Sequence, residues 1–190
     1  MKKETFDYDS IHIVKLPNNV LRKISKDVPI PLSQEDIDLA EKMIFHIDDS
    51  QKDDSKFQAG VGVAAVQYGI LKRVFYINNL FDTKEKGMRD VLFNPKIISK
   101  SKQLASLSEG EGCLSVPLNW KHNQVHGYVP RSYRIVVEAY SYFERKWKIY
   151  DVFGYRAIIM QHELDHLDGH VFFDRINTEN PFDKEDLIII

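Results

Sequence analysis

Residues 161–169, "QHELDHLDG", place two histidines four positions apart, with a glutamate directly after the first histidine. On an α-helix, positions i and i+4 lie on one face, about 5–6 Å apart at Cβ. His162 and His166 can therefore bind one metal ion, and Glu163 can reach a water at that ion. Such a helix must turn this face toward a third ligand and an open coordination position. The segment thus predicts a metal-binding helix around which the rest of the chain has to fold.

The third ligand is less evident, because familiar continuations of this motif fit poorly. One protease class places a third histidine three residues after a glycine, but here Phe172 follows Gly169 at that distance and His170 is out of register. Another class takes a glutamate from a later helix. Glu179 and Glu185 are available, but their segment is short and interrupted by a proline.

The lone cysteine is the remaining candidate. Cys113 lies in "EGEGCLSVP", where glycines and a proline predict a tight, exposed backbone. A thiolate is a strong ligand for a borderline or soft divalent metal, although a lone cysteine is more often a buried structural residue. His122 and His126 also have i, i+4 spacing, but they lack helical periodicity and predict a solvated loop.

Two helices and several β-rich runs predict an α+β fold. Residues 33–50 should form the first helix, with Ser33 as N-cap and Asp36 completing a variant of the capping box. The metal-binding helix should end at Gly169. We expect one domain over 1–190, with mostly antiparallel sheets around the long C-terminal metal-binding helix, and an edge or tail segment at 187–190. Strands are predicted at 72–78, 91–98, 133–142 and 146–153.

The composition limits the kinds of binding partner that we expect for this chain. The formal net charge is −2, which gives no sign of nucleic-acid binding, and no run approaches the roughly 20 apolar residues of a membrane span. The first ten residues lack the apolar run of a secretory signal. A single cysteine allows no internal disulfide and fits a reducing cytoplasm. We therefore expect a cytoplasmic protein.

Three segments together resemble the signature motifs of the peptide deformylase family, in the family's order. They are "GVGVAAVQ" at 60–67, "EGCLS" at 111–115 and "QHELDHLDG" at 161–169. The family patterns are G-x-G-x-A-A-x-Q, E-G-C-x-S and Q-H-E-x-D-H, and every fixed position is present. The similarity extends from about Val20 to about Ile176, and the long spacing before "EGCLS" resembles that of the insertion-bearing bacterial members.

This resemblance implies a metallohydrolase that removes the N-formyl group from the initiator methionine of new polypeptides and releases formate. It implies one divalent metal per chain, natively Fe²⁺, with Zn²⁺, Ni²⁺ or Co²⁺ able to occupy the site. The implied metal ligands are Cys113, His162 and His166. The implied partners are N-formyl-Met nascent polypeptides, together with a transient ribosome contact.

The resemblance also assigns roles around the metal. Glu163 would take the proton of the attacking water and later deliver it to the leaving amine. The Gln67 side chain and the Leu114 backbone N–H would donate hydrogen bonds to the oxyanion. Residues implied to contact the substrate are Gly62, which would pair with the peptide main chain, and Val61, Leu114 and Ile159, which would line the methionine pocket. Arg131 and Asp165 would form an ion pair with each other, outside the set of metal ligands.

The sequence leaves two other interpretations of the function open. An H-E-x-x-H endopeptidase would cleave internal peptide bonds and needs a ligand after His166, which the sequence does not supply. A non-enzymatic metal-binding or ribosome-associated module would bind metal without turnover. The presence of Glu163 and Gln67 argues against such a module, because a degenerate copy is expected to lose one of them.

Overall fold

The computed structural model describes residues 6–81, 87–117, 119–120 and 126–190 of the chain. Helix α1 spans Gln34–Ser50 and begins as its sequence predicts. The Ser33 hydroxyl accepts a hydrogen bond from the Asp36 N–H, and the Asp36 carboxylate accepts one from the Ser33 N–H at 3.0 Å. This reciprocal pairing satisfies two backbone donors that a helix start otherwise leaves unpaired.

Helix α2 spans Gly154–Leu167 and carries the histidine motif. It ends where Gly169 adopts a left-handed backbone with φ of +80°, which confirms the predicted stop. Apolar side chains on several faces of α2 are buried, including Ile158, Met160 and Leu167. The helix therefore runs through the protein interior, and its polar residues are enclosed with it.

Within the described residues, eight strands form two sheets. They are β1 (Gly62–Ala64), β2 (Val74–Asn78), β3 (Arg89–Lys100), β4 (Leu104–Ser106), β5 (Arg131–Ser132), β6 (Arg134–Ser141), β7 (Lys146–Phe153) and β8 (Leu187–Ile189). The larger sheet has the order β1-β2-β3-β6-β7, and every neighbouring pair is antiparallel. Strand β1 therefore lies at an edge, where its outer side can accept another strand.

The smaller sheet has the order β5-β4-β8. Strands β4 and β5 are antiparallel, whereas β4 and β8 are parallel, with Ala105 opposite Ile188. The predicted edge segment at 187–190 is thus present, but its parallel pairing has no signature in the sequence. The α+β prediction with mostly antiparallel sheets and a long C-terminal helix is confirmed.

The two helices pack on opposite faces of the larger sheet. On β2, Phe75 and Ile77 join the apolar cluster of α2, whereas Val74 and Tyr76 join the cluster of α1. Because successive side chains of a strand point to opposite faces, β2 is buried along its whole length. Among the described residues, no helix has the length and apolar character needed to cross a membrane.

Candidate metal centre

Three side chains that could bind a metal ion converge from two parts of the chain. His162 and His166 lie on one face of α2, and Cys113 comes from the loop that follows β4. One ligand atom from each residue lies within 4.8 Å of the other two, and the Cys113 Sγ is 3.2 Å from the His166 Nε2. Within the described ranges this is the one such group of three, and neither His170 nor Glu179 nor Glu185 belongs to it.

The second histidine pair adds no described residue to this cluster. His122 lies outside the described residues, and His126 is exposed, as expected for a solvated loop. His170 is likewise exposed, and its Nδ1 lies 3.8 Å from an Asp174 oxygen. The structure therefore favours Cys113 over the alternative third ligands that the sequence left open.

A buried chain of alternating charges orients His162. The His162 Nδ1 lies 2.8 Å from Glu111 Oε2, which leaves Nε2 to face the thiol. The Arg131 guanidinium donates to both Glu111 oxygens and, at 2.9 Å, to Asp165. Arg175 donates to both Asp165 oxygens from the other side. Such outer contacts fix the tautomer and ring orientation of a ligating histidine.

The inner part of this charge chain is nearly inaccessible to solvent, with side-chain exposures of 1% for Arg131 and 4% for Glu111, whereas Arg175 at its outer end is 45% exposed. Burial opposes ionisation of Glu111, but the charge and hydrogen bonds of Arg131 lower the pKa of Glu111 to about 2. Burial likewise opposes ionisation of Asp165, yet hydrogen bonds from Arg175 and the charge of Arg131 lower the Asp165 pKa. The expected Arg131–Asp165 pair is present, whereas the contacts of Glu111 and Arg175 were not anticipated.

The Cys113 thiol lies where its ionised form is stabilised. Burial raises the pKa of Cys113, but the neighbouring His166 and His162 outweigh it and lower the pKa to about 5. The Ser115 N–H also points at the Sγ, 3.4 Å away. The thiolate is the form that binds metals. One thiolate and two imidazoles match the three-ligand set of a catalytic zinc-type site with an open fourth position.

Glu163 is buried next to these ligands and has an unused oxygen. It is 3% exposed, and burial raises the Glu163 pKa to about 7. In the described part of the chain, Glu163 Oε2 has no hydrogen-bond partner. A buried carboxylate oxygen without a partner is costly, so it indicates a group that the polypeptide itself does not supply. The donor set and this orphaned oxygen together fit a metal ion with its associated water.

Gln67 is held with its amide nitrogen toward the thiol. Its Oε1 accepts from the Ala64 N–H at 2.9 Å, and its Nε2 donates to Ser115 Oγ at 3.1 Å and lies 3.8 Å from Cys113 Sγ. These contacts fix the amide orientation. Of the described residues, none accepts a hydrogen bond from the Leu114 backbone N–H. Both expected oxyanion donors therefore lie beside Cys113.

A cleft of about 500 Å³ leads to these groups. Its walls include the expected substrate residues Gly62, Val61, Leu114 and Ile159, whereas Arg131 and Asp165 do not line it. The lining residues that were not anticipated from the sequence include Phe81, Leu107, Tyr155 and Ile158. Ile158 and Tyr155 share helix α2 with the motif, but only folding shows which helical faces meet the cleft.

A Cys-His-His cluster beside a buried carboxylate, in the wall of a cleft, is the arrangement of a metal-dependent hydrolase. Comparison with known proteins specifies the family. The polypeptide deformylase family model matches residues 10–182. A peptide deformylase of Mycoplasmopsis pulmonis is 48% identical, with 95% of this chain and 97% of the relative covered. One of Streptococcus pyogenes is 41% identical, with 94% and 91% covered.

Solved structures agree with this assignment. A peptide deformylase from Thermus thermophilus superposes with a TM-score of 0.67 at 31% identity, covering 89% of this chain and 87% of that one. One from Ehrlichia chaffeensis, in complex with actinonin, gives a TM-score of 0.69 at 30% identity, covering 89% and 90%. The chain belongs to the polypeptide deformylase family. It is a metal-dependent hydrolase that removes the N-formyl group from newly made polypeptides and releases formate.

Proposed function

We propose that Cys113, His162 and His166 hold one divalent metal, Fe²⁺ in the cell, and that Glu163 carries the proton during deformylation. A thiolate with two imidazoles suits Fe²⁺ as well as Zn²⁺, Ni²⁺ or Co²⁺, and the preference for iron rests on the family resemblance. When bound, such a metal supplies Lewis acidity that makes water a stronger nucleophile near neutral pH. The observation that carries this proposal is the orphaned Glu163 oxygen beside the three ligand side chains.

Glu163 acts on both sides of the reaction. Its carboxylate takes a proton from the attacking water, whose oxygen forms a bond to the formyl carbon. The same proton then passes to the amide nitrogen as the carbon–nitrogen bond breaks, giving formate and a free amino terminus. A pKa of about 7 suits a group that must both accept and release a proton near neutrality.

Gln67 and Leu114 stabilise the formyl oxygen while it gains negative charge. The Gln67 amide is pre-oriented by Ala64 and Ser115, so it need not reorganise during the reaction. The Leu114 N–H offers a backbone donor next to Cys113. Loss of one such donor typically costs about 2.7–4 kcal/mol of transition-state stabilisation.

The substrate main chain pairs with the outer side of β1, near Gly62. No strand of the described part of the chain pairs with that edge, so an extended peptide can add to it as another strand. The methionine side chain enters the apolar part of the cleft between Val61, Leu114 and Ile159. Arg131 and Asp165 act indirectly, by holding Glu111 against His162.

Formate release from N-formyl-Met-Ala-Ser, by freshly purified protein of measured metal content, tests this function. We expect stoichiometric formate and no cleavage of internal peptide bonds, whereas an endopeptidase would give the reverse. Fully metal-loaded protein that releases no formate would overturn the proposal. Iron identity is tested separately, by metal analysis of protein purified without oxygen from its own host.

Formylated chains arise at the ribosome, so we also propose that the protein acts in the cytoplasm of a bacterium and contacts ribosomes transiently. Co-sedimentation with ribosomes that carry a formylated nascent chain tests this contact. Equal sedimentation with vacant ribosomes would show that the formylated end does not contribute, and absence from both pellets would argue against any contact.

A further inference from the structure

Gln67 lies on a short 3-10 helix, Ala65–Tyr68, which ends where Gly69 adopts a left-handed backbone with φ of +80°. A 3-10 helix of about one turn has few hydrogen bonds of its own, so its orientation depends on contacts with neighbouring elements. The Gln67 carbonyl accepts a hydrogen bond from the Val14 N–H at 2.7 Å, which fixes the backbone on one side. Rotation of the short helix about this point has to be limited by side chains.

Tyr68 anchors this short helix to α1. The Tyr68 hydroxyl lies 2.8 Å from the Nδ1 of His46, which is on α1 and only 2% exposed. The Tyr68 ring packs against the apolar cluster that α1 shares with β1 and β2, and the Lys42 ammonium lies 5.2 Å from the ring centroid. Neither Tyr68 nor His46 lines the cleft. The pair can therefore influence the reaction only through residues that it holds in place.

The protonation states of the two side chains favour this hydrogen bond. Burial, with a further contribution from the charge of Lys42, lowers the pKa of His46 to about 4, so the imidazole is neutral near pH 7. Burial, followed by the charge of Glu163, raises the pKa of Tyr68 well above its usual value, so the hydroxyl keeps its proton. A neutral imidazole has one nitrogen that accepts a hydrogen bond. Near neutral pH the Tyr68 hydroxyl can therefore donate to His46.

The Gln67 amide depends on the orientation of the short helix. Its Nε2 donates to Ser115 Oγ at 3.1 Å and lies 3.8 Å from Cys113 Sγ, so the nitrogen faces the metal ligands. Its Oε1 accepts from the Ala64 N–H, which precedes the short helix directly and moves with it. A donor to an oxyanion is effective when it is already directed at the position where charge develops. Rotation of the short helix would turn the amide away from that position.

We propose that Tyr68 and His46 are positioning residues for Gln67, because their hydrogen bond fixes the orientation of the short helix and so directs the Gln67 amide at the formyl oxygen. This role rests on the proposed function, in which Gln67 stabilises that oxygen. Loss of an interaction made only in the transition state lowers kcat and leaves KM nearly unchanged. Tyr68→Phe should lower kcat about threefold to tenfold at unchanged KM and metal content, a part of the loss of about 10²–10³-fold expected when an oxyanion donor is removed.

Tyr142→Phe is the matched control, with formyl-Met-Ala-Ser as substrate. The Tyr142 hydroxyl also donates to a residue of α1, Glu41, at 2.7 Å, and its ring packs against the same apolar cluster. Tyr142 follows β6, however, and is not part of the short helix. Both substitutions remove one hydroxyl and should lower the melting temperature, whereas only Tyr68→Phe should lower kcat. An equal loss of kcat in both variants would refute the positioning role.

A second comparison tests whether the effect passes through Gln67. In a Gln67→Ala background, Tyr68→Phe should change kcat by less than about twofold, because no amide remains to be directed. His46→Asn keeps an acceptor oxygen near the position of Nδ1 and should retain most of the parent kcat, whereas His46→Leu should resemble Tyr68→Phe. The comparison uses kcat at saturating substrate, because the His46 ring also packs against Phe57, with 4.7 Å between centroids, and loss of that contact can change KM.

The positioning role is also refuted if Tyr68→Phe keeps the parent kcat, or if it lowers kcat equally with and without the Gln67 amide. A loss of kcat in His46→Asn as large as that in His46→Leu would refute it as well. Absence of formate with the metal-loaded parent protein would instead overturn the proposed function, and the positioning role with it.

Discussion

Replacing Arg131 with alanine should destabilise the protein far more than removal of an ordinary surface charge. Arg131 is 1% exposed at its side chain and bridges Glu111 and Asp165. Its removal leaves two buried carboxylates with fewer partners. Asp165 keeps two hydrogen bonds from Arg175, whereas Glu111 keeps His162 as its only partner among the described residues. The substitution therefore leaves one buried carboxylate poorly compensated, that of Glu111, and not both.

The expected magnitude follows from that single loss. Removing one partner of a buried ion pair typically costs about 3–5 kcal/mol. For a chain of this size, 1 kcal/mol shifts the melting temperature by about 2–4 °C, so Arg131→Ala should melt roughly 6–20 °C lower. Urea unfolding in metal-free buffer gives the free energy directly, and thermal melts by circular dichroism give the second measure.

The loss should depend on pH in a defined direction. The folded-state pKa of Glu111 is lowered from 4.5 to about 2, chiefly by Arg131 against the effect of burial. Its ionised form therefore stabilises the fold fully above pH 4.5, and this contribution disappears as pH falls toward 2. The gap between the parent protein and Arg131→Ala should thus be widest near neutral pH and narrow below pH 4.5.

Arg134→Ala is the matched control. Arg134 also forms a two-bonded pair, with Asp151, but the two side chains are 58% and 49% exposed. Exposed pairs are worth about 0–1 kcal/mol, so this variant should melt close to the parent protein. If Arg131→Ala lost no more than Arg134→Ala, the buried charge chain would not contribute to stability as argued here.

Three further predictions concern the reacting groups. Glu163→Gln should keep its metal but have a kcat about 10²–10⁴-fold lower, because the change removes a proton carrier and no ligand. A variant that retained more than about a tenth of the parent kcat would exclude Glu163 as the base. Gly62→Ala should lower kcat at least tenfold at unchanged metal content, because the added Cβ would lie 2.5 Å from Glu163 Oε1. Gly112→Ala is the control: nothing lies within 4 Å of its Cβ, so its kcat should stay close to that of the parent protein. Protein loaded with Fe²⁺ should lose activity in peroxide faster than protein loaded with Zn²⁺, and mass spectrometry should find added oxygen at Cys113. Equal loss of activity with every metal, together with an unmodified Cys113 thiol, would argue against Cys113 as a ligand.

The helices and the four longest of the described strands, β2, β3, β6 and β7, could be predicted because their signals are local. Ser33 and Asp36 mark the start of α1, and Gly169 marks the end of α2, through contacts within a few residues. The spacing of His162 and His166 fixes a shared helical face for the same reason. Local periodicity therefore sufficed for the elements and for two of the three clustered ligand groups.

The surroundings of the site could not be predicted from the residues alone, because they depend on contacts between distant residues. Glu111 meets His162 across 51 positions, and Arg131 meets Asp165 across 34. Arg175 is close to Asp165 in sequence, but only the fold turns it toward that carboxylate. The parallel pairing of β8 with β4 is equally non-local, since 187–190 is apolar with no partner-specific pattern. The resemblance supplied Cys113 and Arg131, and the residues alone did not select them.

The charge chain should also couple metal affinity to stability. This coupling can be measured separately from the stability that the charge chain gives to the metal-free protein. A bound metal stabilises the fold by RT ln(1 + [M]/Kd), and loss of outer contacts to a metal ligand typically weakens affinity about 10–100-fold. At one saturating metal concentration, Arg131→Ala should therefore lose about 1.4–2.7 kcal/mol more in the presence of Zn²⁺ than in its absence. Zn²⁺ is the probe because it has no redox chemistry of its own. Arg134→Ala should lose the same small amount in both conditions. An equal loss for Arg131→Ala with and without Zn²⁺ would show that Glu111 stabilises the fold but does not hold His162 for the metal.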